Sequence, residues 1–170
     1  VISSVACVLA LLCSAASAQE TSNRVAAKTD WSMFEESSPK ECWAVTAPKQ
    51  TEAKRGGKLV EVRRGKILLF VFHRPESDVK GQVAFTGGYP FAKDRPITLN
   101  IDGADFELSA DGEWAWPPSP SDDAKIVAAM KRGANAVITA QSKRGTATKD
   151  TFSLKGFTAM YTKSEKRCAG

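Results

Sequence analysis

The sequence predicts a mainly β domain, an antiparallel sandwich-like fold with one short helix and a C-terminal helix. Three observations carry this reading. Short segments of alternating apolar residues recur along most of the chain, separated by Gly, Pro and Asp-Gly steps. Asp102-Gly103 and Asp111-Gly112 are two-residue turn signals between such segments. Helical spacing is confined to Ile126–Met130 and to the stretch from Phe157 to Cys168.

The chain opens on an almost wholly apolar run from Val1 to Leu12, followed by Ala16-Ser17-Ala18. That small-x-small ending is what signal peptidase cuts after, and the run is too short to anchor in a bilayer. Residues 1–18 therefore read as a signal peptide and the mature chain as starting at Gln19, in the periplasm or secreted. Cys13 follows Leu12, whereas a lipid-acceptor cysteine follows a small residue, so lipidation is disfavoured. Residues 19–29 are polar and unpatterned, which predicts a flexible leader before a single β-rich domain over residues 30–170.

Alternation starts at Asp30-Trp31-Ser32-Met33-Phe34. After a turn at Pro39-Lys40, Cys42 to Thr46 reads as the next strand, and Arg55-Gly56-Gly57 turns the chain into Leu59–Val62. Lys66 to His73 is the most apolar run of the mature chain, rich in β-branched and aromatic residues, and predicts a central strand buried on both faces. Gln82–Thr86 follows and ends at Gly87-Gly88-Tyr89-Pro90. Ile97–Ile101, Phe106–Leu108 and Glu113–Trp116 form a three-stranded meander across the two Asp-Gly turns. Pro117-Pro118-Ser119-Pro120 ends it, and Ser121 is the expected cap of a helix with Asp122 and Asp123 in its first turn. Ala136–Ser142 and Thr148–Leu154 pair across Lys143-Arg144-Gly145. Phe157, Met160, Tyr161, Ser164 and Cys168 then line one face of a last helix. The count is about nine strands and two helices.

Loss of Cys7 and Cys13 with the signal leaves Cys42 and Cys168, which in an exported protein read as one disulfide. The competing reading, a Cys nucleophile with His73 as base, needs a reduced thiol that an oxidising compartment does not favour. The formal net charge of +5 falls on the mature part, in clusters such as Lys54-Arg55, Arg63-Arg64, Lys131-Arg132 and Lys143-Arg144. Most of these sit at expected turns and helix ends; weak attraction to an anionic surface is the functional alternative. Nucleic acid is not an expected partner, and no run of the mature chain is long enough for a membrane helix.

Catalytic residue types are sparse. His73 is the single histidine, placed at the end of an apolar strand and read as a hydrogen-bonded strand residue that packing explains. Glu35-Glu36 reads as an exposed turn and Asp122-Asp123 as helix capping, and the Asp-Gly turns lack the regular oxygen spacing of calcium loops. Neither cofactor nor metal is implied. Trp114 and Trp116, two residues apart on a strand, share a face, and with Tyr89 and Phe91 they form the candidate ligand surface. The competing reading packs the indoles in the core or against the proline turn, with at least one of them structural.

Asp30-Trp31-Ser32, the stretch from Val83 to Phe91, Leu99-Asn100-Ile101-Asp102 and Thr151 to Ala159 together resemble the invasion-associated locus B family, exported proteins of alphaproteobacteria. The resemblance spans nearly all the mature chain. It implies a periplasmic or envelope-associated β-rich domain without established catalysis, linked in pathogens to host-cell entry. The chain departs from the commoner family pattern in having no further cysteines after Tyr89-Pro90-Phe91, where Trp114 to Pro118 falls roughly instead. The family assigns no chemical role to a residue that could be carried over. The function expected is thus non-catalytic binding of an envelope component or partner protein. The alternatives are a carbohydrate-binding module using Trp114 and Trp116, or a small hydrolase of envelope polymer.

Overall fold

The structure, a computed structural model, describes residues 23–169. The expected signal peptide, with Cys7 and Cys13, lies outside the described residues. Twelve strands and two helices follow in order. The strands are β1 (Arg24–Lys28), β2 (Trp31–Ser37), β3 (Lys40–Thr46), β4 (Gln50–Arg55), β5 (Lys58–Leu59) and β6 (Leu68–Arg74). Next come β7 (Val79–Thr86), β8 (Ile97–Ile101), β9 (Ala104–Asp111) and β10 (Trp114–Trp116). Helix α1 (Pro120–Arg132), β11 (Asn135–Gln141), β12 (Ala147–Ser153) and α2 (Phe157–Cys168) complete the chain. The fold is mainly antiparallel β, as the alternation requires.

The strands hydrogen-bond in the order β1-β2-β3-β6-β7-β10-β9-β8-β11-β12-β4-β5, every ladder antiparallel. Strand β9 joins the two halves: Ala104–Leu108 pair with β8, and Ser109–Asp111 with β10. The two halves fold face to face. Phe85 of β7 meets Phe152 of β12 edge-on at 6.1 Å, and the Trp31 indole on β2 donates to the Ser153 carbonyl at 2.9 Å. Both helices lie on that inner side. Ile126, Val127 and Met130 of α1 are buried, α1 lying against β7, and Phe157, Met160, Tyr161, Ser164 and Cys168 of α2 are buried over β2, β3 and β6.

Cys42 and Cys168 form a disulfide across 126 residues, with Cα atoms 6.0 Å apart. It fastens the last turn of α2 to β3, and in the chain-entropy view a loop of this length stabilises by about 4–5 kcal/mol. Gly156 caps α2 at φ 94°, and a Cβ there would collide with the Lys28 carbonyl. The helix start thus rests directly on β1, which only glycine permits.

Four expectations need correction. Residues 24–28, assigned to a flexible leader, form β1 on the edge of β2, with Val25 and Ala26 half-buried against the core. An edge strand needs one partner and few apolar contacts, so its composition looks like a leader's. The cap of α1 is Ser119, not Ser121: its Oγ accepts from Asp122 N at 3.2 Å, and Pro120 takes the first helical position, where a missing N–H costs nothing. The strands number twelve rather than about nine because β1 and β4 lack the alternation expected of strands, while the strand expected at Leu59–Val62 shrinks to the two-residue β5. Finally, the apolar run ending at His73 is central but not buried on both faces. Leu69, Val71 and His73 point inward, whereas Leu68 and Phe70 on the other face stay partly exposed.

Candidate functional site

The outer face of the first half is aromatic. Cross-strand register puts Phe34 beside Trp43, Trp43 beside Phe72, and Trp114 beside Thr86, which in turn neighbours Leu68. The rings join into a row. Phe34 and Trp43 lie 5.6 Å apart and 8° from parallel, and Trp43 meets Phe72 at 6.3 Å. Phe72 stacks on Phe70 at 5.1 Å, Phe70 reaches Trp114 at 5.5 Å, and Trp114 stacks on Trp116 at 5.7 Å. Ala84 beneath them is fully buried. Arg74 covers Phe72 in the middle of the row, its guanidinium 4.4 Å over that ring and paired with Glu41 at 2.9 Å. Trp114 remains 36% exposed, and both helices lie on the opposite side of the sheet.

Ring geometry bears on what this face can hold. Parallel rings 5–6 Å apart are offset-stacked, each face turned to the next ring. Much of the flat surface that a sugar would stack on is used within the row.

The four residues expected to form one surface separate. Trp114 and Trp116 lie on the aromatic face, and the buried residue of their strand is Ala115, at 0% exposure. Phe91 is a core residue, 1% exposed, against Phe85 and Tyr89. Tyr89 belongs to a different place, a cleft between the halves. What sequence reasoning missed is that Phe34, Trp43, Phe70 and Phe72 continue the tryptophan pair. Their alternation was legible strand by strand, but which strands adjoin was not.

The cleft encloses about 220 Å³ and is lined by Arg55, Arg63, Arg64 and Arg144 with Tyr89 and Thr146. The loop 60–67 that carries two of these arginines is held by backbone contact: Gly65 N donates to Gly88 O at 2.9 Å. Gly88 has φ 70°, and a Cβ there would fall within 2.7 Å of Gly65. Arg64 grips Asp150 through both terminal nitrogens at 2.7 and 2.6 Å and donates Nε to Gly87 O at 2.9 Å. Asp150 is 0% exposed; burial pushes its carboxyl up from the usual value while Arg64 opposes that rise. Arg64 also covers the Tyr89 ring, and Tyr89 Oη shares a hydrogen bond with Thr148 Oγ1. Arg55 donates to Thr146 Oγ1 at 2.8 Å.

His73 lies under α2, its ring edge-on to Tyr161 at 5.0 Å, with Nε2 buried and without a hydrogen-bond partner. Burial lowers its pKa, Glu165 opposing and Lys131 adding to the effect. Its strand neighbour Cys42 is in the disulfide, so the thiol–imidazole pairing has no free thiol. Among the described residues no cluster of His, Cys, Asp and Glu is arranged to hold a metal. No helix is long and apolar enough to cross a membrane.

A family model described as invasion associated locus B (IalB) protein matches residues 31–165. The chain belongs to that family. The IalB match begins at Trp31, the first residue of β2, and covers every arginine of the cleft and every ring of the aromatic row. It stops just short of Cys168, so one half of the disulfide lies beyond it. IalB proteins are of exported type and are not a known enzyme family, in keeping with the disulfide. No curated protein and no solved structure matches the chain.

Proposed function

We propose that the mature chain is a non-catalytic periplasmic or secreted protein, released after Ala18, that docks a partner protein of the bacterial envelope on its aromatic face. The observation that carries this is the six-ring row from Phe34 to Trp116, left open on the side of the sheet away from both helices. Folding does not call for it, since the core closes on the inner side. Large aromatics with the Arg74–Glu41 pair among them have the composition of an interface centre, where aromatic residues and arginine are enriched. Phe34, Trp43, Phe70 and Trp116 are half-buried, Trp114 is exposed and Phe72 is covered by its neighbours. A partly exposed aromatic patch of this kind is a common feature of interaction sites. Mutual stacking of the rings weighs against a sugar platform, and the partnerless, buried His73 weighs against hydrolysis.

Site-specific photo-crosslinking tests the reading. A crosslinking amino acid at Trp43 or Trp114 should trap a discrete protein in intact cells, whereas one at Thr139, on the outer face of the other half, should trap none. Equal trapping from both faces, or none from either, would refute docking on this face. Binding of the purified chain to peptidoglycan or lipopolysaccharide that is lost on Trp114→Ala would replace the partner protein with a glycan.

A further inference from the structure

We infer that the arginine cleft between the two halves is a second binding site, for a phosphate ester carried on a sugar or similar small polar group. Four arginines, from β4, the loop 60–67 and the turn after β11, converge there on about 220 Å³ of space. Two carboxylates stand against them, Asp150 beneath Arg64 and Glu113 in the lining. Among the described residues no carboxylate lies within 4.0 Å of the guanidinium of Arg55, Arg63 or Arg144. The cleft is thus left positive, and a guanidinium fork is the group best matched to phosphate oxygens.

Two features set this cleft apart from solvated loop arginines. Arg64 is locked by three hydrogen bonds, and Arg55 is oriented by Thr146, so part of the ordering cost of binding is met in advance. The volume suits a head group rather than a polymer, being below the usual range for whole drug-sized ligands. Tyr89 and Pro90 supply an apolar wall for the ring or chain bearing the phosphate. Burial raises the Tyr89 pKa, so that the wall stays neutral beside an anion.

The phosphate could come from a soluble sugar phosphate or from a lipid head group, and the test separates them. Amide resonances of isotope-labelled mature protein would be followed during titration with glucose 1-phosphate, and separately with phosphatidylcholine vesicles with and without phosphatidic acid. Saturable shifts confined to Gly87–Tyr89, Arg63–Gly65 and Thr146–Thr148 are expected with at least one phosphate probe. A response only to the soluble probe identifies a free sugar phosphate, and one only to the phosphatidic acid vesicles identifies a lipid. Arg63→Glu/Arg144→Glu should weaken binding about tenfold or more without moving the melting temperature, because both side chains are exposed. Silence of the cleft amides to both probes would overturn the site, as would undiminished binding by the folded double variant. Crosslinking from the aromatic face is unaffected by either result, so the two readings fail separately.

Discussion

On the outer face of the first half, Phe34, Trp43, Phe72, Phe70, Trp114 and Trp116 run across the strands as one row of rings. The corresponding outward positions of the second half carry Asn100 beside Val137, Thr98 beside Thr139, then Thr151, and Lys149 opposite Glu52. Both faces back onto the same core, and both are built from antiparallel strands whose inward residues are buried. A sheet with one face on a core normally turns polar residues to solvent, and the second half follows that rule. The first half breaks it over several strands. Aromatic cross-strand pairs add stability, each about 0.2–1 kcal/mol, yet threonines, one valine and opposite charges suffice at the equivalent positions opposite. Stability alone therefore does not account for the difference, which is what the proposed docking surface predicts.

The largest effects should come from the core shared by both halves. Trp31→Ala removes a 1% exposed indole, its hydrogen bond to Ser153 and its edge contact with Phe157. A loss of about 3–5 kcal/mol is expected by denaturant unfolding. Asp150→Ala should cost a similar amount, about 3–5 kcal/mol, because it leaves Arg64 unpaired in a nearly closed site. An unfolding free energy unchanged in either variant would mean that the halves are not held together where the structure joins them.

Acidification should act more gently. Burial holds the His73 pKa below the ordinary 6.5, so below about that pH the unfolded chain takes up a proton the folded chain resists. Stability should fall as pH drops from 7 towards 5, and His73→Gln should flatten the fall. Asp123 and Asp150, raised by burial, work in the opposite sense from the ordinary carboxylate range upward, so the variant isolates the histidine. A pH profile identical in the two proteins would remove His73 as the cause.

The sharpest test of the comparison has the smallest thermodynamic signal. Trp114→Ala should cost about 1 kcal/mol, the worth of its aromatic contacts, instead of the several expected if the indole were in the core. Lys149→Ala on the polar face should change stability by less than about 0.5 kcal/mol. Only the first should abolish crosslinking from a probe placed at Trp43. If both leave the crosslink intact, the aromatic row is not the docking surface.

Sequence alone determined the features set by local periodicity and turn chemistry. The alternating strands, the meander across Asp102-Gly103 and Asp111-Gly112, and the buried stripe of α2 from Phe157 to Cys168 all depend on residues near one another in the chain. So did the pairing of Cys42 with Cys168, because removal of a signal peptide would leave no other choice. The tertiary structure decided what non-local register controls. β1 and β4 exist because a neighbouring strand satisfies their backbone, not because their own residues alternate. Trp114 and Trp116 face solvent because α1 and α2 pack on the opposite side of their sheet. Phe70 reads as a core residue yet stays half-exposed for the same reason, and Phe72 is covered only by neighbours on the outer face: an apolar run states that its side chains avoid water, not which neighbour covers them. The arginine cleft was least legible of all. Its parts lie at residues 55, 63, 64, 89 and 144–150, and only the closing of one half onto the other brings them to a common space.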